Sequence, residues 1–176
     1  MRYVIKSNTF HLTHTQSDND IKYIDKEILD KMSNIEINTL VLDYDAYIDH
    51  SYNLSYIPNN IETIYISDDY WQNVDYLPLN LMTLYFSHEI DSFNKSIDKL
   101  PSNLNVLHLG YWFNYTFDNL PPLLLCILFR EYCLFKNRIL DLPHNLKELY
   151  LPRNYNMNNI NPFLISNICK NLEIKN

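Results

Sequence analysis

One apolar pattern recurs along most of this chain. From Ile37 onward, apolar residues fall in the order apolar-x-x-apolar-x-apolar. The units open at Ile37, Ile61, Leu81, Leu104, Leu124, Leu146 and Cys169, at intervals of 20 to 24 residues. They close at Leu42, Ile66, Phe86, Leu109, Phe129, Leu151 and Ile174. The alternation in the last three places of each unit is that of a short strand with one buried face. A proline stands three residues ahead of five units, at Pro58, Pro78, Pro101, Pro121 and Pro143. Proline fixes φ and donates no ladder bond, so it suits the turn before a strand. The first and last units lack it, as end repeats would.

The rest of each repeat carries an aromatic: Tyr52, Trp71, Phe93, Phe113, Phe135 or Tyr155. An Asn usually stands at or near the next position. The expected arrangement is an inward aromatic spine on the convex side, with each Asn bonding the backbone of the turn. A single coil cannot bury its own apolar face, whereas stacked coils share a continuous core. Self-similarity at this period predicts a leucine-rich-repeat-like solenoid. The expected fold has about seven short parallel strands on a concave sheet and a mostly irregular convex side.

Residues 1–35 do not fit the repeat. Tyr3-Val4-Ile5 and Thr9-Phe10-His11-Leu12 alternate like a short hairpin turning at Asn8. Ile21, Ile24, Ile28, Leu29 and Met32 fall at helical spacing, which predicts an amphipathic helix over 20–33. The organisation expected is therefore an N-terminal hairpin and helix cap over 1–35. The array follows over 36–176 and is closed at its C-terminal end by 165–176. A cap covers core and strand edge that would otherwise meet water.

Composition narrows the function classes. A single Gly among 176 residues argues against Rossmann or P-loop phosphate binding. A net charge of -7 disfavours nucleic acid and anionic membranes as partners. The longest apolar run, Leu123 to Phe129, is far too short to span a bilayer. The N-terminus lacks an apolar signal-peptide centre. Three cysteines without C-x-x-C spacing read as reduced thiols, so an intracellular, cytoplasmic setting is expected.

Candidate sites follow from the strand alternation. The residue between each inward pair faces the concave side: Val41, Tyr65, Tyr85, His108, Leu128, Tyr150 and Glu173. Beside them run Thr39, Thr63, Thr83, Val106, Cys126, Glu148 and Asn171 on one side. On the other run Asp43, Ser67, Ser87, Gly110, Arg130, Pro152 and Lys175. Tyr65, Tyr85, His108, Leu128, Arg130 and Tyr150 are the expected partner-binding residues, because Tyr is enriched at interfaces. Strand propensity and cross-strand packing alone would also place Tyr there. The alternative is a metal-binding or hydrolytic protein using the acidic loop 43–50 (Asp43, Asp45, Asp49, His50) with His88. That loop lacks the EF-hand Gly and terminal Glu, the histidines lack zinc spacing, and no nucleophile elbow is present. No enzyme activity, metal or cofactor is expected.

Leu100-Pro101-Ser102-Asn103-Leu104, Leu107-His108-Leu109-Gly110 and Phe113-Asn114 resemble the FNIP repeat, a subclass of leucine-rich repeat. Phe93-Asn94-Lys95-Ser96-Ile97 is similar to the element that gives the repeat its name. The resemblance covers residues 52–156, and its Asn is lost at Trp71-Gln72 and Phe135-Lys136. It implies a non-catalytic interaction protein of the kind found in social amoebae and in large DNA viruses of amoebae. There such repeats often follow an F-box and recruit a target to ubiquitin machinery. Residues 1–35 are too short for an F-box. The implied partner is a protein, bound on the concave face.

Overall fold

The computed structural model describes residues 2–13, 30, 32–34, 36–43, 54, 57–66, 73–86, 93–164 and 173–175. The described strands form one nine-stranded sheet in sequence order. They are β1 (Arg2–Lys6), β2 (Thr9–Thr13), β3 (Thr39–Asp43), β4 (Thr63–Ile66), β5 (Thr83–Phe86), β6 (Val106–Leu109), β7 (Cys126–Phe129), β8 (Glu148–Tyr150) and β9 (Glu173–Lys175). Only β1 and β2 pair antiparallel; every later pairing is parallel. The molecule is a parallel β-solenoid with one short strand per coil, as the period predicts.

The apolar unit builds each coil. The opening residues Ile61, Leu81, Leu104 and Leu124 and the middle residues Leu40, Ile64, Leu84, Leu107, Ile127 and Leu149 are fully buried. Sealing one such side chain from water stabilises the fold by about 1.5–3 kcal/mol, so the stacked column carries much of the core. Each proline closes a turn: the carbonyls of Pro58, Pro78, Pro101, Pro121 and Pro143 accept from the N–H three residues on, at 3.0–3.2 Å. The chain then enters the strand through a shared acceptor. The Glu62 carbonyl takes the N–H groups of both Met82 and Thr83, and Asn38, Met82, Asn105 and Leu125 repeat this for the coil that follows.

The hairpin belongs to the same sheet. β2 pairs parallel with β3, Thr9 against Thr39 and Phe10 against Leu40. The Asn8 carbonyl accepts from Asn38 and Thr39 just as the carbonyls of later coils do. Phe10 is fully buried. The parallel array therefore has eight strands, β2–β9, where the repeat count leads one to expect seven. The hairpin turn places Ser7 at φ 54°, the one positive-φ non-glycine among the described residues. Of the helix expected over 20–33, residues 30 and 32–34 are described and helical, with Met32 fully buried; the remainder lies outside the described residues.

The convex spine forms where the chain is described. Phe93, Phe113, Phe135 and Tyr155 stack in sequence, with ring centroids 6.2, 6.2 and 5.6 Å apart and planes within 17° of parallel. Phe117 and Phe129 pack into the same stack. Tyr52 and Trp71 lie outside the described residues.

Three details differ from expectation. The Asn beside the spine ties the next coil rather than its own turn: Asn94 Oδ1 accepts from the Asn114 N–H and Asn114 Oδ1 from the Lys136 N–H, at 3.0 and 2.9 Å. Coil stacking brings the following backbone within reach of the amide. Gly110, placed by alternation in a column flanking the concave residues, is instead buried, and it has no positive φ, so its position does not draw on glycine's left-handed freedom. Finally, β9 pairs Ile174 with Leu149 and Lys175 with Tyr150. Lys175, not Glu173, thus follows Tyr150 along the concave column. A shift of two residues keeps every side chain on its own face, so alternation alone does not fix that register.

Candidate functional site

Parallel pairing without offset sets the concave residues in straight columns. The central column runs His11, Val41, Tyr65, Tyr85, His108, Leu128, Tyr150 and Lys175, one residue per strand. Burial alternates along β4–β7, with the flanking residues sealed and these residues open to solvent. Tyr65 is 40% exposed, and Tyr85, His108, Leu128 and Tyr150 are partly buried. The Tyr65 and Tyr85 rings sit 5.2 Å apart at 48°. The Tyr85 ring stacks on the His108 imidazole at 4.2 Å and 20°. Five of the six expected residues thus form a continuous aromatic and aliphatic strip.

Arg130, the sixth, lies two residues beyond Leu128, just past the end of β7, where strand alternation no longer sets the face, and it is partly buried. Its Nη1 is sealed from solvent and has no hydrogen-bond partner among the described residues. The next residue, Glu131, is paired elsewhere, through Oε1 to Arg153 Nη1 at 3.3 Å. Along the opposite side of the strip runs a threonine ladder, Thr9, Thr39, Thr63 and Thr83, continued by Val106, Cys126, Glu148 and Glu173. Cys126 Sγ lies 4.0 Å from Glu148 Oε2.

Two features escape the column reading. An exposed aromatic rim follows the ends of β6 and β7. Trp112 and Tyr132 are 48% and 53% exposed, Trp112 meets Tyr111 edge-on at 5.4 Å, and Tyr132 Oη lies 3.3 Å from Arg153 Nη1. Aromatics directly after a strand were the available signal. The second is a half-open groove of about 280 Å³ lined by Phe117, Leu120, Leu142, Asp118, Asp141 and His144, among others. It is assembled from two successive coils, so no single repeat announces it.

The alternative site fares differently. Residues 44–50, His50 among them, and His88 lie outside the described residues, as does Cys169. Among the described residues no group of three His, Cys, Asp or Glu side chains is placed to hold a metal, and no helix is long and apolar enough to cross a membrane.

No protein-family model matches the chain, and no curated protein does. Among solved structures, the chain is similar to CroV588, described as a novel circular LRR protein, at 23% identity and a TM-score of 0.48. The alignment covers 89% of this chain and 29% of that one, so this chain spans less than a third of its neighbour.

Proposed function

We propose that this chain is a non-catalytic protein-binding module that engages its partner through the concave face. The supporting observation is the central column: Tyr65, Tyr85, His108, Leu128 and Tyr150 lie on adjacent strands in register, partly open to solvent. Such a strip offers large, rigid contact area with hydrogen-bonding tips and little side-chain entropy to lose. Strands β2–β9 supply the face, and β1, antiparallel to β2, borders it at the N-terminal end.

The test is affinity capture from cells expressing the tagged chain, with Tyr65, Tyr85 and Tyr150 replaced together by Ala in a parallel sample. Proteins held by the native chain and lost by the folded variant support the reading. Identical capture by both ends it. The finer assignment, repeats of FNIP type in a target-recruiting or decoy component linked to host ubiquitin machinery, is proposed on the motif resemblance at Leu100–Asn114 alone. Reproducible co-capture of ubiquitin-ligase subunits would support it, and their absence from a capture that retains other specific partners would remove it.

A further inference from the structure

We infer that the groove at the turns preceding β7 and β8 takes a lysine side chain of a partner protein, with the ammonium held by Asp118 and Asp141. The inference rests on the protein-binding reading for the source of the lysine, but it uses a surface apart from the concave strip. The groove, of about 280 Å³, is lined by the buried Phe117 and Leu142, the part-buried Leu120, and the exposed Asp118, Asp141 and His144. One apolar position is open here that the other turns close. The residue ahead of the proline is buried at Ile57, Leu77, Leu100 and Leu142, whereas Leu120 keeps part of its surface in solvent. Among the described residues no Lys or Arg lines the groove. Two carboxylates outweigh one imidazole, so the rim is negative whichever state His144 is in.

An earlier pair of coils shows what an ammonium does in these two places. Asp75 stands two residues before Leu77-Pro78, and Lys99 stands one residue before Leu100-Pro101. They meet across the coils, Lys99 Nζ lying 3.1 Å from Asp75 Oδ2. Asp118 stands two residues before Leu120-Pro121, and Asp141 one residue before Leu142-Pro143. Asp141 thus takes the place of Lys99, and two carboxylates occupy the positions that form an ion pair in the earlier coils. Each engages one oxygen locally. Asp118 Oδ2 accepts from the Thr116 hydroxyl at 2.5 Å, and Asp141 Oδ1 from the Leu142 N–H at 2.9 Å. The other oxygen of each is left for an incoming donor. Among the described residues no trio of His, Cys, Asp or Glu can hold a metal, so a bare divalent ion fits poorly. A lysine suits both halves of the groove: its methylene stem covers apolar surface while its ammonium makes charge-assisted bonds to carboxylate.

The experiment adds a capped Leu-Lys-Leu peptide to the isotope-labelled 176-residue chain at pH 7 and low salt, following backbone amide shifts by NMR. Matched peptides carry norleucine or acetyl-lysine in the middle, which keep the stem and lose the charge. The lysine peptide should shift amides within 117–120 and 141–145, and the two neutral peptides should bind about tenfold more weakly or worse. Asp118→Asn and Asp141→Asn should each weaken the lysine peptide roughly twofold to tenfold. Asp141→Lys should supply the ammonium from within, pair with Asp118 as Lys99 pairs with Asp75, and abolish binding while amide shifts in distant coils stay native. Equal binding of the norleucine and lysine peptides would overturn the inference, as would Asn variants that bind like native protein. So would the absence of saturable shifts up to about 10 mM peptide. Shifts confined to the Tyr65, Tyr85 and Tyr150 strands would move the lysine to the concave face, ending this inference while the binding reading stands. The triple Ala variant at those tyrosines should bind the lysine peptide like native protein. If that variant also captures the same cellular proteins as native protein, the concave reading falls and the groove remains.

Discussion

Asn103 reaches back one coil, its Nδ2 donating to the Leu79 carbonyl at 3.0 Å. Asn80 does the same to Asn59, and Asn145 to Pro122, each at 3.0 Å. In every case the acceptor is the residue just after the proline of the preceding coil. The rung is missing where Leu123 replaces the Asn, and Leu123 is 45% exposed. Leu123→Asn should complete the ladder by donating to the Ser102 carbonyl. The expected gain is about 0.5–1.5 kcal/mol, read as a higher urea midpoint at unchanged slope. Asn103→Ala should lower stability by a similar amount.

The spine predicts larger effects. Phe113 is fully buried, stacks with Phe93, Phe117 and Phe135 and meets Phe129 at a tilt of 48°. Phe113→Ala should cost about 3–5 kcal/mol. Because Phe113 and Phe135 touch, the double Ala variant should destabilise by less than the sum of the singles, with a coupling of about 0.5–1.5 kcal/mol. Equilibrium denaturation of the four proteins in the cycle measures it.

These two cases show what the sequence discloses. Phe113 was legible because its role is repeated: an aromatic returning once per coil has to face a shared core. Asn103 stood in plain view within its motif, but its acceptor lies 24 residues earlier and becomes a neighbour only once coils stack. The strand Thr9–Thr13 shows the opposite failure. It alternates correctly but lacks both the proline and the opening apolar residue, so nothing local marks it as the first parallel rung. The concave column from Val41 to Tyr150 was legible because register without offset follows from near-equal repeats. Arg130 was legible by position only, since its hidden nitrogen depends on how neighbouring coils pack around it.

Tyr155 gives a pH-dependent test. Burial pushes its phenol up to about 12, and its hydroxyl donates to the Asn137 carbonyl at 2.7 Å. The unfolded chain releases the proton near the ordinary value of 10.0. Below that pH both states hold the proton and the stabilisation is fully present. As pH rises through the folded value it is lost, because the unfolded state has already ionised. Tyr155→Phe should therefore be less stable than native protein near neutrality, by about 0.5–1.5 kcal/mol for the missing bond. It should also show a flatter stability profile between pH 10 and 12. Denaturant midpoints at stepped pH read both effects.

The concave strip and the core below it should separate cleanly under mutation. Tyr65 and Tyr85 contact each other across β4 and β5 at 5.2 Å, whereas Ile64 and Leu84, one residue earlier, are fully buried. Cross-strand pairs on an open face contribute about 0.2–1 kcal/mol. Tyr65→Ala should therefore cost less than about 1 kcal/mol, while Leu84→Ala should cost about 2–5 kcal/mol. Tyr85→Ala should fall between them, since its ring also stacks on His108 at 4.2 Å. Equal losses at positions 65 and 84 in chemical denaturation would mean the tyrosines are structural, and the face would then have little freedom left for a partner.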